Sequence, residues 1–258
     1  EGTALSLIVG GAVGNLIGGN VAGVLLVLGV GAVARPVAAS AKLFGTAVPL
    51  ALGATLLFWL LAADKALSRI DAGVLVGAFG CAVAVLVRAA RREPDAGRAG
   101  FVAWVPERMS LRLAGLLALG GLGAVVFGAW LAAGHLIPAT AALRLSVPVA
   151  GLTLAALGTA LPAAVAAVLA SRRGYSDVAL GLAVGPALCN LLLVAGAVAL
   201  VRPLDLTEHA ILNEVPAMGL CAFLLLPALL NGKVPRWEGA LLLAAYAGFV
   251  TWQVLRVR

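Results

Sequence analysis

Eight apolar runs, each about as long as a bilayer crossing, decide what this chain can fold into. They fall near residues 14–34, 43–63, 71–90, 111–133, 146–170, 177–201, 210–231 and 237–255. A spanning helix needs about 20 predominantly apolar residues, and only helices or closed barrels satisfy every backbone polar group inside lipid. The sequence therefore predicts an all-α integral membrane protein with about eight transmembrane helices. Composition agrees, with 63% of the 258 residues hydrophobic and 11% charged, against about 25% charged in a soluble domain. The one sizeable break, residues 91–110, is rich in charge, proline and glycine, and is expected to link two halves rather than fold. Residues 1–13 are too short to cross before Gly14, so they either extend the first helix or form the tail of another element. They begin at Glu1 without a basic leader and give no clear signal peptide.

The charges that remain set an orientation. The net charge is +7, yet the cations are parcelled out at helix ends instead of gathered on one face, which argues against nucleic acid as a partner. Numbering the loops alternately puts twelve of the 18 Lys and Arg on one side: Arg35, Lys42, Arg88, Arg91, Arg92, Arg98, Arg108, Arg112, Arg172, Arg173, Lys233 and Arg236. Lys65, Arg69, Arg144, Arg202, Arg256 and Arg258 fall on the other. The richer side is expected to be cytoplasmic, with the 91–110 loop, which leaves both ends of the chain outside a multi-pass protein of the cell membrane.

The chain also resembles itself at an offset of 167 residues. Gly14, Gly18, Gly29, Arg35 and Pro36 fall on Gly181, Gly185, Gly196, Arg202 and Pro203, and residues 14–36 share nine identities in 23 positions with 181–203. Further on, Pro49 falls on Pro216, Arg69 on Arg236 and Asp71 on Glu238. Five spans separate equivalent helices, so the copies are expected to be inverted, the architecture of secondary transporters with a site at the repeat interface near the midplane. The expected division is residues 1–90 for a three-helix first repeat, 91–110 for the linker and 111–258 for a five-helix second repeat. The repeat also predicts that two helices of a five-plus-five design precede residue 1.

Polar residues and helix breakers gather in two kinds of segment. "GTALPA" carries Gly158, Thr159, Leu161 and Pro162, and "GNLIGGN" carries Gly14, Asn15, Gly18 and Asn20, followed by Leu25, Leu26, Leu28 and Gly29. A second copy keeps Gly181, Gly185, Asn190, Leu192, Leu193 and Gly196. These residues resemble the GTSLPE-type and GNxxGSNxxNxLLxLG-type motifs of the cation/calcium exchanger superfamily, which includes sodium/calcium exchangers. The likeness continues through the "RP" after the helix and the "SRID" and "PRWEG" openings of later helices, so it covers nearly the whole chain.

That resemblance implies antiport of Ca²⁺, Na⁺ or H⁺ by alternating access, an inorganic cation as partner and transported species, and no cofactor. It also implies a ligand carboxylate where this chain has Ala163, with further departures at Ala160, Leu182, Pro186, Ala187, Gly19 and Gly23. On physical grounds, Pro162 frees the carbonyl one turn back and Gly158 loosens that turn, so backbone oxygens can face a dehydrated cation. Asn15, Asn20, Thr159 and Asn190 offer neutral oxygens, which hard cations accept, although Ca²⁺ usually also needs carboxylates. Gly14, Gly18, Gly158, Pro162, Gly181 and Gly185 form the expected frame of broken helices. The alternative is a non-transporting relic or partner protein that keeps the scaffold.

Each of these residues also has a packing explanation, since Asn, Thr and Gly in membrane helices mediate close contact and interhelical hydrogen bonds. For Asn15 and Asn20 the two explanations stand level, for Asn190 and Thr159 packing leads, and Thr153 is expected to bond its own preceding turn. Glu214 is the one carboxylate placed inside a span and an intramembrane acid is a functional candidate, although it lies within about two turns of an interface. His209 beside Glu208 is expected at the surface. Cys81, Cys189 and Cys221 lack CxxC or Cys/His spacing and are expected to pack as small buried hydrophobes, not to bind a metal. No span offers GxSxG, HExxH or paired aspartates, so enzymatic chemistry is not expected. Trp59, Trp130, Trp237 and Trp252 read as interfacial anchors, Ser68 with Asp71 as a capping box, and Pro235 as a first-turn proline.

Overall fold

A computed structural model describes residues 2–38, 40–91, 110–143, 145–206, 218, 219, 224 and 231–256. The order is α1 (Gly2–Ala22), a π-helical segment (Gly23–Val27), α2 (Leu28–Ala34), α3 (Ala41–Leu61), β1 (Ala66–Leu67), α4 (Arg69–Arg91) and α5 (Leu111–Leu143). Then follow α6 (Val147–Ala150), a second π segment (Gly151–Ala155), α7 (Ala156–Arg173), α8 (Ser176–Leu188), a third π segment (Cys189–Val194), α9 (Ala195–Val201), β2 (Leu204–Asp205) and α10 (Arg236–Arg256). Among the described residues, six helices are long and apolar enough to cross a membrane, and Gly45–Leu61 forms a shorter apolar helix. The fold is helical and membrane-spanning, as the apolar runs required. The 210–231 run, with Glu214 and Cys221, and the Glu208–His209 pair lie outside the described residues.

Local chemistry sets the helix ends. Ser68 and Asp71 form the expected capping box: Ser68 N–H donates to Asp71 Oδ2 at 2.9 Å and Asp71 N–H to Ser68 Oγ at 3.2 Å. Gly174, at φ +87°, closes α7 with its N–H on the Ser171 carbonyl, a left-handed position that glycine takes without a Cβ penalty. Pro235 immediately precedes Arg236, and Gly239 N–H reaches back to its carbonyl at 3.1 Å. Thr153 Oγ1 donates to the Val149 carbonyl at 2.7 Å, as expected for its own preceding turn. The stretch before Gly14 is helical from Gly2 onward and extends the first helix.

Two expectations change. Cys81 and Cys189 are exposed, not packed inside; the exterior of a membrane helix faces hydrocarbon, where a thiol is as much at ease as in a core. The run near 111–133 continues to Leu143 through Pro138, and its side chains, such as Leu116, Leu122 and Trp130, are exposed on the outside of the fold. Trp59, Trp237 and Trp252 are likewise exposed. The core sits where Ile17, Val21, Leu25 and Leu28 of the first helix meet Leu180 and Leu191 of α8 and its π extension.

The 167-residue offset recurs in the contacts. Val37 pairs with Val234 in an antiparallel bridge, and Leu67 pairs with Leu204; adding 167 to Val37 and Leu67 gives Leu204 and Val234. Each copy thus lends one strand residue to the other. A Cβ on Gly29 would lie 3.0 Å from Leu243 Cδ2 and 3.2 Å from the Gly239 carbonyl, and one on Gly196 would lie 2.8 Å from Val76 Cγ2 and 3.1 Å from the Ala72 carbonyl. Those partners are again 167 apart. α2 and α9 are equivalent over their whole lengths, and both end on an arginine in extended backbone, Arg35 and Arg202.

The direction of the helices makes this exchange an inversion. Ala38 N–H donates to Ser176 Oγ at 3.2 Å and Ser40 N–H to Asp177 Oδ1 at 2.7 Å, so the end of the first helix meets the start of α8. From Ser176 the chain stays helical to Val201, which carries Leu204 about 39 Å away at 1.5 Å per residue. The Val37–Val234 bridge and the Leu67–Leu204 pair therefore sit at opposite ends of the helices, and equivalent helices run antiparallel.

Candidate cation site

The first helix lies against α6, α7 and the π segment between them because its glycines remove the side chains that would hold two backbones apart. A Cβ on Gly14 would overlap the Pro148 carbonyl, one on Gly18 the Leu152 carbonyl, and one on Gly151 the Gly11 carbonyl. On another face, a Cβ on Gly23 would come within 2.7 Å of the Ala183 carbonyl of α8. Gly14 and Gly18 are four residues apart, the spacing that lets membrane helices approach closely.

This approach brings polar side chains from both repeats together. Thr159 Oγ1 lies 3.3 Å from Asn15 Oδ1 and 3.1 Å from the Ala156 carbonyl, either of which can accept its one hydroxyl hydrogen. Asn190 Nδ2 lies 3.3 Å from where a Cβ on Gly19 would stand. Asn20 is 4% exposed; its Nδ2 donates to the Leu16 carbonyl at 2.9 Å and contacts Met218 Sδ at 3.7 Å. Among the described residues its Oδ1 is buried without a hydrogen-bond partner, and an amide oxygen in an apolar interior calls for one. Thr159 and Asn190 both lie near the middle of their spans, Val147–Arg173 and Ser176–Val201.

The helices are not broken at the expected frame. α7 passes through Gly158 and Pro162 without interruption, and α1 passes through Gly14 and Gly18. Non-helical backbone facing lipid leaves unpaired groups that cost several kcal/mol each, so the irregularity takes the form of π turns instead. Two of these match across the repeat, since Gly23–Val27 plus 167 gives residues 190–194, within Cys189–Val194. Such turns recur at functional sites, and no residue signature marked them beforehand. Around Gly158, Gly181 and Gly185 no described atom stands within 4 Å of a Cβ position. Ala163 is half-buried on α7 and carries no ionisable group.

Chemically, these residues offer Asn15 Oδ1, Asn20 Oδ1, Thr159 Oγ1 and the Gly158 carbonyl, whose usual donor one turn ahead is missing at Pro162. All are neutral oxygens suited to a hard cation. A helical membrane protein whose inverted repeats bring neutral oxygens together at mid-span has the architecture of a secondary transporter.

Comparison with known proteins makes that class specific. The family model described as sodium/calcium exchanger protein matches residues 112–255, and the chain belongs to that family. It is similar to the putative antiporter CaxA of Alkalimonas amylolytica, 29% identical over 244 residues, covering 92% of this chain and 76% of that protein. The sodium/calcium exchanger MaX1 of Methanosarcina acetivorans is 37% identical over 103 residues, 40% of this chain and 29% of that one. A structure of the sodium-calcium exchanger NCX_Mj soaked with Na⁺ and Sr²⁺ superposes with a TM-score of 0.69 at 23% identity, covering 94% of this chain and 77% of that one, which establishes the shared fold.

Proposed function

We propose that the chain acts as a secondary active cation transporter of sodium/calcium exchanger type, antiporting its ion by alternating access. The observation that carries this is the approach of Thr159 to Asn15, a polar contact between the two repeats near mid-span. Asn20, Asn190 and Glu214 complete the proposed ligand set, and the glycines with Pro162 supply the close backbone. With Ala163 where the family's resemblance places an acid, Glu214 is the one carboxylate in the set, which favours Na⁺ over Ca²⁺ because mainly neutral oxygens offset the dehydration of a divalent ion poorly. Residues 1–90 and 111–258 are the two repeats of this reading and 91–110 their cytoplasmic link, with the Arg35–Arg173 end facing the cytoplasm and both chain ends outside.

Purified full-length protein in proteoliposomes tests the activity. Transport predicts uphill Na⁺ movement driven by an opposing Ca²⁺ or H⁺ gradient. Failure to move Na⁺ or Ca²⁺ under any such gradient would favour the second reading, a scaffold without transport, which Ala163 and the open faces at Gly158, Gly181 and Gly185 support.

A further inference from the structure

The chain reaches Thr159 through the second π segment, Gly151–Ala155, and that segment decides which face of α7 meets the first helix. At its end the Ala156 N–H bonds the Gly151 carbonyl, five residues back instead of four. The wide turn takes up one residue more than an α turn. Each residue beyond it therefore stands where its predecessor would stand in an unbroken helix, a step of about 100° round the axis. With that turn in place, Thr159 Oγ1 lies 3.3 Å from Asn15 Oδ1. Without it, and with α6 held where it is, Gly158 would take the place of Thr159.

The backbone ahead of the turn is pinned, because Gly14 lies against the Pro148 carbonyl and Gly151 against the Gly11 carbonyl, with no room for a Cβ at either glycine. Thr153, 3% exposed, donates Oγ1 to the Val149 carbonyl at 2.7 Å and so ties the π segment to α6. A hydroxyl bonded back by one turn bends a helix and competes for its ladder. The bond alone does not make a π turn, since Thr55 bonds the Ala51 carbonyl at 2.9 Å in α3, which stays α-helical. Thr153 differs in acting directly after the pinned Gly151. Of the three described π segments, this one alone contains a hydroxyl residue.

We propose that Thr153 is a positioning residue: by tying the π turn to α6 it brings Thr159, and not Gly158, onto Asn15, and thereby sets which oxygen the transported cation meets. Its role in transport rests on the cation site proposed above, whereas the register it sets does not.

The register is read in the full chain freed of Cys81, Cys189 and Cys221 and carrying Asn15→Cys with either Thr159→Cys or Gly158→Cys, the latter at a position with no described atom near its Cβ. Dibromobimane, which fluoresces on bridging two thiols, is expected to bridge residue 15 to 159 in preference to 158. Adding Thr153→Val lowers the ratio of the two yields about fivefold, the effect of losing one hydrogen bond. Thr153→Ser restores the ratio, and Thr55→Val leaves it unchanged. Thr153→Ala removes the same hydroxyl and gives the same fall, which carries the test should Thr153→Val not fold. In protein that keeps Asn15 and Thr159, Thr153→Val raises the Na⁺ concentration for half-maximal counterflow without lowering the maximum, as a smaller competent fraction requires. An unchanged bridging ratio in Thr153→Val, or an equal fall in Thr55→Val, overturns the proposal. Unimpaired counterflow in Thr159→Val contradicts the transport reading instead, and the bridging ratio still decides the register.

Discussion

A single hydrogen atom in place of a methyl group decides whether the first helix can lie where it does. Gly18 abuts the Leu152 carbonyl and the Ala156 side chain, so a Cβ there must push two backbones apart. Gly18→Ala is expected to destabilise by about 1–3 kcal/mol, as overpacking does, while Gly181→Ala, with no described atom near its Cβ position, stays within about 0.5 kcal/mol. Thermal unfolding in detergent compares the two, and equal losses would contradict the packing described. The paired glycines were legible in the sequence both as frames for broken helices and as sites of close packing, and the second is what Gly14 and Gly18 do. Their role in close approach depends on Pro148, Leu152 and Gly151, more than 130 residues away, which no local pattern joins to them. Thr153 and the Ser68–Asp71 box were legible because their partners lie within four residues.

At the scale of elements, the inverted repeat governs. The offset of 167 was visible in glycines, arginines and prolines, since those residues hold backbone positions that Leu, Ala and Val share out freely. The Val37–Val234 and Leu67–Leu204 pairings were not visible, because a bridge of one residue has no periodicity to detect and its partners are 197 residues apart in one case and 137 in the other. Facing residues in antiparallel pairs have Cα atoms about 5.5 Å apart, within reach of a disulfide. In a background free of Cys81, Cys189 and Cys221, Val37→Cys with Val234→Cys is therefore expected to cross-link on mild oxidation, as is Leu67→Cys with Leu204→Cys. Mobility of the oxidised and reduced proteins on a denaturing gel shows it, and a mispaired control, Val37→Cys with Leu204→Cys, stays open because those residues belong to pairings at opposite ends.

For the whole molecule, the distribution of charge and the position of the polar side chains carry the account. The proposed orientation places Arg173 and Lys65 on opposite sides of the membrane. In intact cells, a membrane-impermeant maleimide is expected to label Lys65→Cys and to spare Arg173→Cys until the cells are opened; the reverse pattern would invert the topology. In the proposed function, cations cross at the contact between Thr159 and Asn15. Counterflow of isotopic Na⁺ in proteoliposomes tests it most directly, comparing Thr159→Val with Thr55→Val, a buried threonine bonded to its own turn through the Ala51 carbonyl. The account predicts that Thr159→Val lowers Na⁺ counterflow at least tenfold while Thr55→Val leaves it within about twofold, the difference expected when about 1.4 kcal/mol or more of ion contact is lost. Equal counterflow in both variants and wild type would contradict it.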